Sequence, residues 1–179
     1  RLCQRIWYDA VYDVTDNFEE TVKTSQRWLL ELRDAYLDYS QGSFDVRLGK
    51  QQIVWGDAVG LFFADVVNAK DLREYILPEF DLIRIPQWAV DVEWSGEPFH
   101  TELVWIPVRE FHRLGVSHSE FEFPLPVPSG SPRVWTDPSK PPTSVSNSEA
   151  GARASVLLGG WDVSGFYLYT WDKFPVLFR

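Results

Sequence analysis

Pairs of acidic residues are the first places to look for chemistry in this chain. Asp34 and Asp38 share one parity of an alternating stretch, and Glu93 and Glu102 lie on either side of the turn sequence Ser95-Gly96-Glu97-Pro98. Two carboxyl groups about 5 to 9.5 Å apart can act as acid and nucleophile, or acid and base, in glycoside hydrolysis. No nucleophile motif or metal set accompanies them, and Arg47, Lys50 and Arg153 stand ready to pair them. No catalytic residue is therefore expected. His100, His112 and His118 lack the spacing of a helical metal pair, and the single cysteine, Cys3, can make neither an internal disulfide nor a thiolate zinc cage. No metal or other cofactor is expected.

The charge balance narrows the partners. With 17 basic against 26 acidic residues, the net charge of −9 lacks the positive footprint that nucleic-acid binding needs. An anionic membrane surface is disfavoured for the same reason. No apolar run approaches the roughly 18 to 20 residues of a spanning helix, so a membrane role would have to come from strands. The 179 residues contain no Met and begin at Arg1 without a charged-then-apolar leader, which reads as a mature form or an internal stretch and says nothing about compartment.

The elements that would position these side chains have period two. Ile6, Tyr8, Ala10, Tyr12 and Val14 alternate with Trp7, Asp9, Val11 and Asp13. Ala35, Leu37 and Tyr39 alternate with Asp34, Tyr36 and Asp38; after Gln41-Gly42-Ser43, Phe44, Val46, Leu48 and Val54 oppose Asp45, Arg47, Gly49 and Gln51, with Lys50 and Gln52 interrupting the apolar row. Trp88, Val90, Val92 and Trp94 oppose Asp91 and Glu93, and Thr101, Leu103 and Trp105 oppose Glu102. Ala152, Ala154, Val156 and Leu158 oppose Arg153 and Ser155, Gly159-Gly160 turns the chain, and residues 161–171 return with either parity eligible as the apolar one. Between these hairpins lie long segments, roughly 15–25, 56–86 and 107–150. The second contains Asp71 to Leu77 before Pro78, a candidate short helix that the proline would stop; the third carries most of the prolines and should be extended and irregular.

Strands of this length, apolar on one face and polar on the other, joined alternately by tight turns and long loops, carry the pattern of an outer-membrane β-barrel. In hydrocarbon every backbone group must be paired, so only a closed sheet crosses, with apolar side chains toward lipid and charges toward a wet interior. The predicted fold is thus all-β: an antiparallel up-and-down meander of hairpins forming an arc of a larger transmembrane barrel, with long loops and one short helix. Candidate lumen-facing residues are Asp34, Asp38, Arg47, Gln51, Asp91, Glu93, Glu102 and Arg153; Asp9 and Asp13 share that parity. Trp28, Trp55, Trp88, Trp94, Trp105, Trp161 and Trp171 fall near strand ends, where an amphipathic ring is stable at the headgroup level. The segment from Gly56 to Pro86 is too apolar for a freely solvated loop, and Leu61, Phe62, Phe63, Asp65, Asn68 and Asp71 are candidates for a constriction folded into the barrel; the competing view makes it further wall above the membrane. The functional expectation is a non-enzymatic, porin-like conduit for a small solute, apolar or amphipathic in view of the aromatic content, with membrane lipid as its partner. The alternative is a secreted β-sandwich that stacks surface Trp on sugar rings.

Arg47-Leu48-Gly49-Lys50-Gln51-Gln52-Ile53-Val54-Trp55-Gly56, followed by Asp65-Val66-Val67-Asn68-Ala69-Lys70-Asp71-Leu72-Arg73, resembles the hallmark of a bacterial family catalogued as domain of unknown function 1302. Further similarity runs through Ile85-Pro86-Gln87-Trp88, Glu102-Leu103-Val104-Trp105-Ile106-Pro107 and Gly159-Gly160-Trp161-Asp162-Val163-Ser164, covering most of residues 30–179. Lys50 and Ala69 depart from the pattern, which more often has Arg and Pro there. Members are regarded as outer-membrane β-barrels of several hundred residues, so the resemblance implies that location and makes residues 1–179 part of one barrel domain, incomplete at both ends.

Overall fold

A computed structural model describes residues 1–55, 65–75, 78–116, 118–122 and 139–174. Seven strands form one sheet in the order β1 (Leu2–Tyr8), β2 (Trp28–Gln41), β3 (Phe44–Gln51), β6 (Gln87–Gly96), β7 (Phe99–Val108), β9 (Glu149–Leu158) and β10 (Trp161–Tyr169). Every neighbouring pair is antiparallel, so chain order and spatial order agree and the sheet is an up-and-down meander of hairpins. A second, small sheet pairs β5 (Arg84–Ile85) with β4 (Ala69–Leu72) and, in parallel, β4 with β8 (Arg113–Leu114).

The three tight turns, at 42–43, 97–98 and 159–160, stand at one end of the large sheet, and the three long connections stand at the other. Gly159 and Gly160 both have positive φ, 56° and 87°. That is the backbone a two-residue type I′ hairpin demands, and its twist matches the strands it joins.

Register settles which side chains share a face. Leu37, Leu48, Val90 and Trp105 are aligned across β2, β3, β6 and β7, as are Tyr39, Val46, Val92, Leu103, Ala152 and Tyr167 through to β10. This face is predominantly apolar, interrupted by Lys50 between Ala35 and Trp88, and stays open: Leu30 is 76% exposed, Leu37 75%, Leu103 53% and Trp161 77%. The opposite face carries the charges, and near the long-connection end it is covered. There Ile53, Trp55, Val67, Ala89, Val104 and Ile106 form the buried core, with Leu168 packed against it.

Several sequence expectations change. The alternation from Ile6 to Val14 is strand only to Tyr8; Val11–Val14 is a helical turn, α1, which removes Asp9 and Asp13 from the sheet. In it Tyr12 turns inward and its hydroxyl donates to Gln26, a bond that a continuing strand could not make. The predicted helix over 71–77 is not formed in its described part: Asp71 and Leu72 are in β4 and 73–75 are a turn. Short helices occur instead at Glu20–Gln26 (α2) and Phe80–Ile83 (α3). The strand expected to reach Val54 ends at Gln51, and Trp55, expected near an interface, is wholly buried in the core. Trp171 likewise leaves the sheet and lies beneath the Arg109 guanidinium.

The ambiguous parity of β10 resolves by packing. Phe166 meets Trp55, ring centroids 5.8 Å apart, and Leu168 meets the core, so Val163, Tyr167 and Tyr169 take the apolar face.

Candidate functional site

The charged face has an open part between the strands' midpoints and the tight turns, and a covered part near the long connections. On the open part Arg47 Nε donates to Asp38 Oδ1 at 2.5 Å, its cross-strand partner, while its guanidinium lies over the Tyr36 ring at 4.5 Å. Asp91 stands next to Arg47 in register and is buried. Glu93 is in register with Asp45 and Glu102; His100 Nε2 lies 3.6 Å from it, and Arg153 Nη1 lies 4.0 Å from Glu102. Asp34 shares this face at the edge and pairs with Arg1 at 3.1 Å. Gln51, nearer the core, donates to the Arg47 and Ala89 carbonyls. The eight residues nominated for a polar wall therefore lie on one face of one sheet.

Carboxylates (Glu31, Asp34, Asp38, Asp45, Asp91, Glu93, Glu102, Glu149, Asp162) outnumber guanidinium groups (Arg5, Arg33, Arg47, Arg153) over this face. Such a surface attracts cations and repels anions.

The covering layer is held by ionic and amide contacts that reach back to the strands. Asn68 is buried; it accepts from the Ile53 amide and donates to the Ile53 carbonyl at 2.5 Å, which makes it a substitute for a strand partner. Buried Gln87 donates to the Val67 carbonyl at 2.6 Å, anchoring the same segment from β6. Asp65 pairs with Arg84 at 2.6 Å, and Arg84 reaches Asp81 at 2.9 Å. A chain of alternating charges runs from Arg33 to Glu31 (3.0 Å), Arg113 (3.0 Å), Asp71 (3.6 Å) and Arg73 (2.7 Å), which donates to the Ser25 carbonyl. Burial pushes the Asp71 carboxyl up, but the hydrogen bonds and charge of Arg73, with Arg113 behind it, outweigh that and hold it below its ordinary value. Asp65, Asn68 and Asp71 thus lie in the layer packed on the charged face, while Leu61, Phe62 and Phe63 lie outside the described residues.

Beyond Asp71, sequence reasoning missed this network. Glu31 and Arg33 escape because β2 carries a bulge between Leu32 and Asp34, where β1 advances one residue and β2 two. The apolar row therefore runs through Leu30 and Leu32 on even numbers and through Ala35 and Leu37 on odd ones, and a fixed-parity reading stops at Asp34. The pair of adjacent charges Arg33-Asp34 inside an apolar run is the signal that marks the slip. Lys173 and Glu149, a buried ion pair at 2.6 Å, have no sequence signal, since 24 residues separate them.

Among the described residues no group of three or more His, Cys, Asp or Glu could hold a metal ion, and no helix is long and apolar enough to cross a membrane; the latter says nothing about strands. No curated protein and no solved structure matches the chain. The sequence pattern of the family described as "Protein of unknown function (DUF1302)" matches residues 2–99, a span that runs from β1 into β7 and takes in four complete strands of the meander together with the first half of the covering layer. That match extends over more than half of the sequence, and the chain belongs to the DUF1302 family.

Proposed function

We propose that these strands are part of the wall of a transmembrane β-barrel in a bacterial outer membrane, with lipid against the apolar face and a water-filled conduit against the acidic one. One observation carries the reading: what the large sheet covers is part of its charged face, near the long connections, while its apolar face is left open along its length. A soluble sandwich does the reverse, because removing apolar area from water is what stabilises it, by about 25 cal/mol for each Å². The same point weighs against the secreted carbohydrate-binding alternative, since Trp28, Trp88, Trp94, Trp105 and Trp161 are not a local platform but part of a largely apolar face that spans all seven strands. Short turns at one end and long connections at the other fit the periplasmic and extracellular ends of such barrels.

The aromatic residues from which an apolar cargo is expected lie mainly on the outer face, so they bear on lipid rather than on cargo. The inner wall favours cations and polar neutral solutes over anions. The covering layer, with Asp65, Asn68 and Asp71, narrows the conduit at its extracellular end. The test is the full-length protein in planar bilayers. It should conduct with a reversal potential on the cation side under a salt gradient, and Asp91→Asn with Glu93→Gln and Glu102→Gln should move that potential toward zero. A folded, reconstituted protein that does not conduct, or whose selectivity ignores the triple substitution, would refute the conduit.

A further inference from the structure

We infer that the charged face binds an organic cation carrying N–H donors, a guanidinium or a primary ammonium, between Asp91 and Gln51 at the rim of the covering layer. The inference rests on the proposed cation-favouring face and adds a defined site and a ligand class to it. Two acceptor oxygens carry it. Asp91 is 5% exposed and Gln51 1%, and neither Asp91 Oδ1 nor Gln51 Oε1 has a hydrogen-bond donor among the described residues. A buried acceptor is ordinarily bonded, and leaving one bare costs stability.

Register brings the two together. Arg47 is opposite Asp91, Gln51 is opposite Gln87, and the row between them holds only Gly49 and Ala89. Gly49 has no side chain and Ala89 only a methyl, so the Gln51 side chain folds back over this row, where its Nε2 donates to the Ala89 and Arg47 carbonyls at 3.3 Å each. That places the amide against the row of Asp91. The amide cannot turn over, because its oxygen would then face those two carbonyls, so the acceptor is the end left free. Behind it Gln87 donates to the Val67 carbonyl, and the covering layer closes that side.

The neighbouring cations are committed elsewhere. Arg47 is turned toward β2: its Nε donates to Asp38 and its guanidinium lies over the Tyr36 ring. Arg153 stands 4.0 Å from Glu102. The Trp55 indole, in the buried core, is a single neutral N–H. Glu93 and Glu102, in register with each other in the next row, add two more carboxylates, so negative charge is in excess around Asp91. Among the described residues no three His, Cys, Asp or Glu side chains are grouped to hold a metal ion, and a carboxylate beside an amide oxygen suits a ligand that presents several N–H donors in a plane. Access is from the open part of the face, where the side chains beside Asp91 are exposed: Arg47 by 40% and Glu93 by 38%.

The experiment is isothermal titration calorimetry on the full-length protein in lipid nanodiscs. Methylguanidinium is the probe, and tetramethylammonium, which has the same charge and no N–H, is the reference. Methylguanidinium should bind saturably and tetramethylammonium should not, a comparison that needs no variant. Asp91→Asn, nearly identical in shape, should weaken methylguanidinium by about tenfold or more, and Gln51→Leu should weaken it by a smaller factor. Asp16→Asn, which removes an exposed charge away from the sheet, should leave it unchanged. Equal affinity for the two cations, or equal affinity of Asp91→Asn and the parent, would reveal a diffuse acidic field and overturn the site while leaving the cation preference of the conduit standing. Displacement of methylguanidinium by sodium at matched concentration would also overturn it, in favour of an oxygen-bound metal ion. A protein that binds as described but does not conduct would keep the site and lose the conduit.

Discussion

Leu103→Arg separates a lipid-facing surface from a solvated one by magnitude alone. Leu103 lies on β7 four residues from Phe99 and two from Trp105, in register with Val92 on one side and Ala152 on the other, and is 53% exposed. It makes no hydrogen bond or ion pair that the substitution would break, so the penalty is the transfer of a charge. On a water-exposed surface such a change stays within about 0.5 kcal/mol. Near the middle of a bilayer, on a barrel's lipid face, it costs about 2 to 4 kcal/mol, a factor of about 30 to 700 in the folding equilibrium. Gln41→Arg is the internal control: Gln41 shares the face but lies beyond Tyr39 toward the turn, where the cost falls to about 0 to 1 kcal/mol. Urea-induced unfolding of the full-length protein in lipid vesicles, followed by Trp fluorescence, measures both. If Leu103→Arg were as stable as the parent, or no worse than Gln41→Arg, the apolar face would not be in hydrocarbon.

Other perturbations probe the interior. At Gly49, φ is 134° and an added Cβ would stand 2.2 Å from the Ala35 carbonyl oxygen and 2.7 Å from the Tyr36 Cα, so Gly49→Ala should destabilise by about 1 to 3 kcal/mol in the same unfolding assay. Lys173→Met leaves Glu149 charged and buried; a loss of about 3 to 5 kcal/mol is expected, whereas the double change with Glu149→Gln should recover part of it. His112 accepts from the Lys70 amide at Nδ1, 2.8 Å away, and burial, with the charges of Lys70 and Lys173, pushes its pKa from 6.5 down to about 4. The unfolded chain therefore takes up this proton first, and the stability that neutral His112 contributes is complete above pH 6.5 and lost as the pH falls toward 4, by about 2 to 3 kcal/mol. His112→Gln should flatten that part of the stability profile; an NMR titration of His112 with a midpoint near 6.5 would contradict the burial argument.

The inverted packing explains why the covering layer is polar in its contacts. A layer set on a charged sheet face must satisfy those charges as it excludes water from them, and unpaired buried groups would cost more than the contacts gain. Hence Arg33, Glu31, Arg113, Asp71 and Arg73 form a chain rather than isolated pairs, and amides such as Asn68 and Gln87 close the remaining backbone groups. Small shifts of this layer would change the bore of the proposed conduit without touching the strands.

Period-two alternation by itself determined the hairpins β2–β3, β6–β7 and β9–β10, their tight turns and, except on β10 and before the β2 bulge, the residues of each face, because a strand displays its neighbours on opposite sides whatever surrounds it. It also placed Asp38 and Arg47 together, since a two-residue turn fixes the register of the strands it joins. Tertiary structure decided what local pattern could not. The bulge at Arg33 reversed the parity of β2 and hid Glu31, Arg33 and the whole apolar row from Trp28 to Leu32. Alternation past Tyr8 became a helix because Tyr12 found a buried partner in Gln26, fourteen positions away. The fate of residues 65–86 depended on the sheet face below them: Val67 belongs to the core only because Ala89, Val104 and Ile106 are brought beneath it from two other strands. Periodicity reports the two sides of an element; which side is covered, and by what, depends on contacts between segments far apart in the chain.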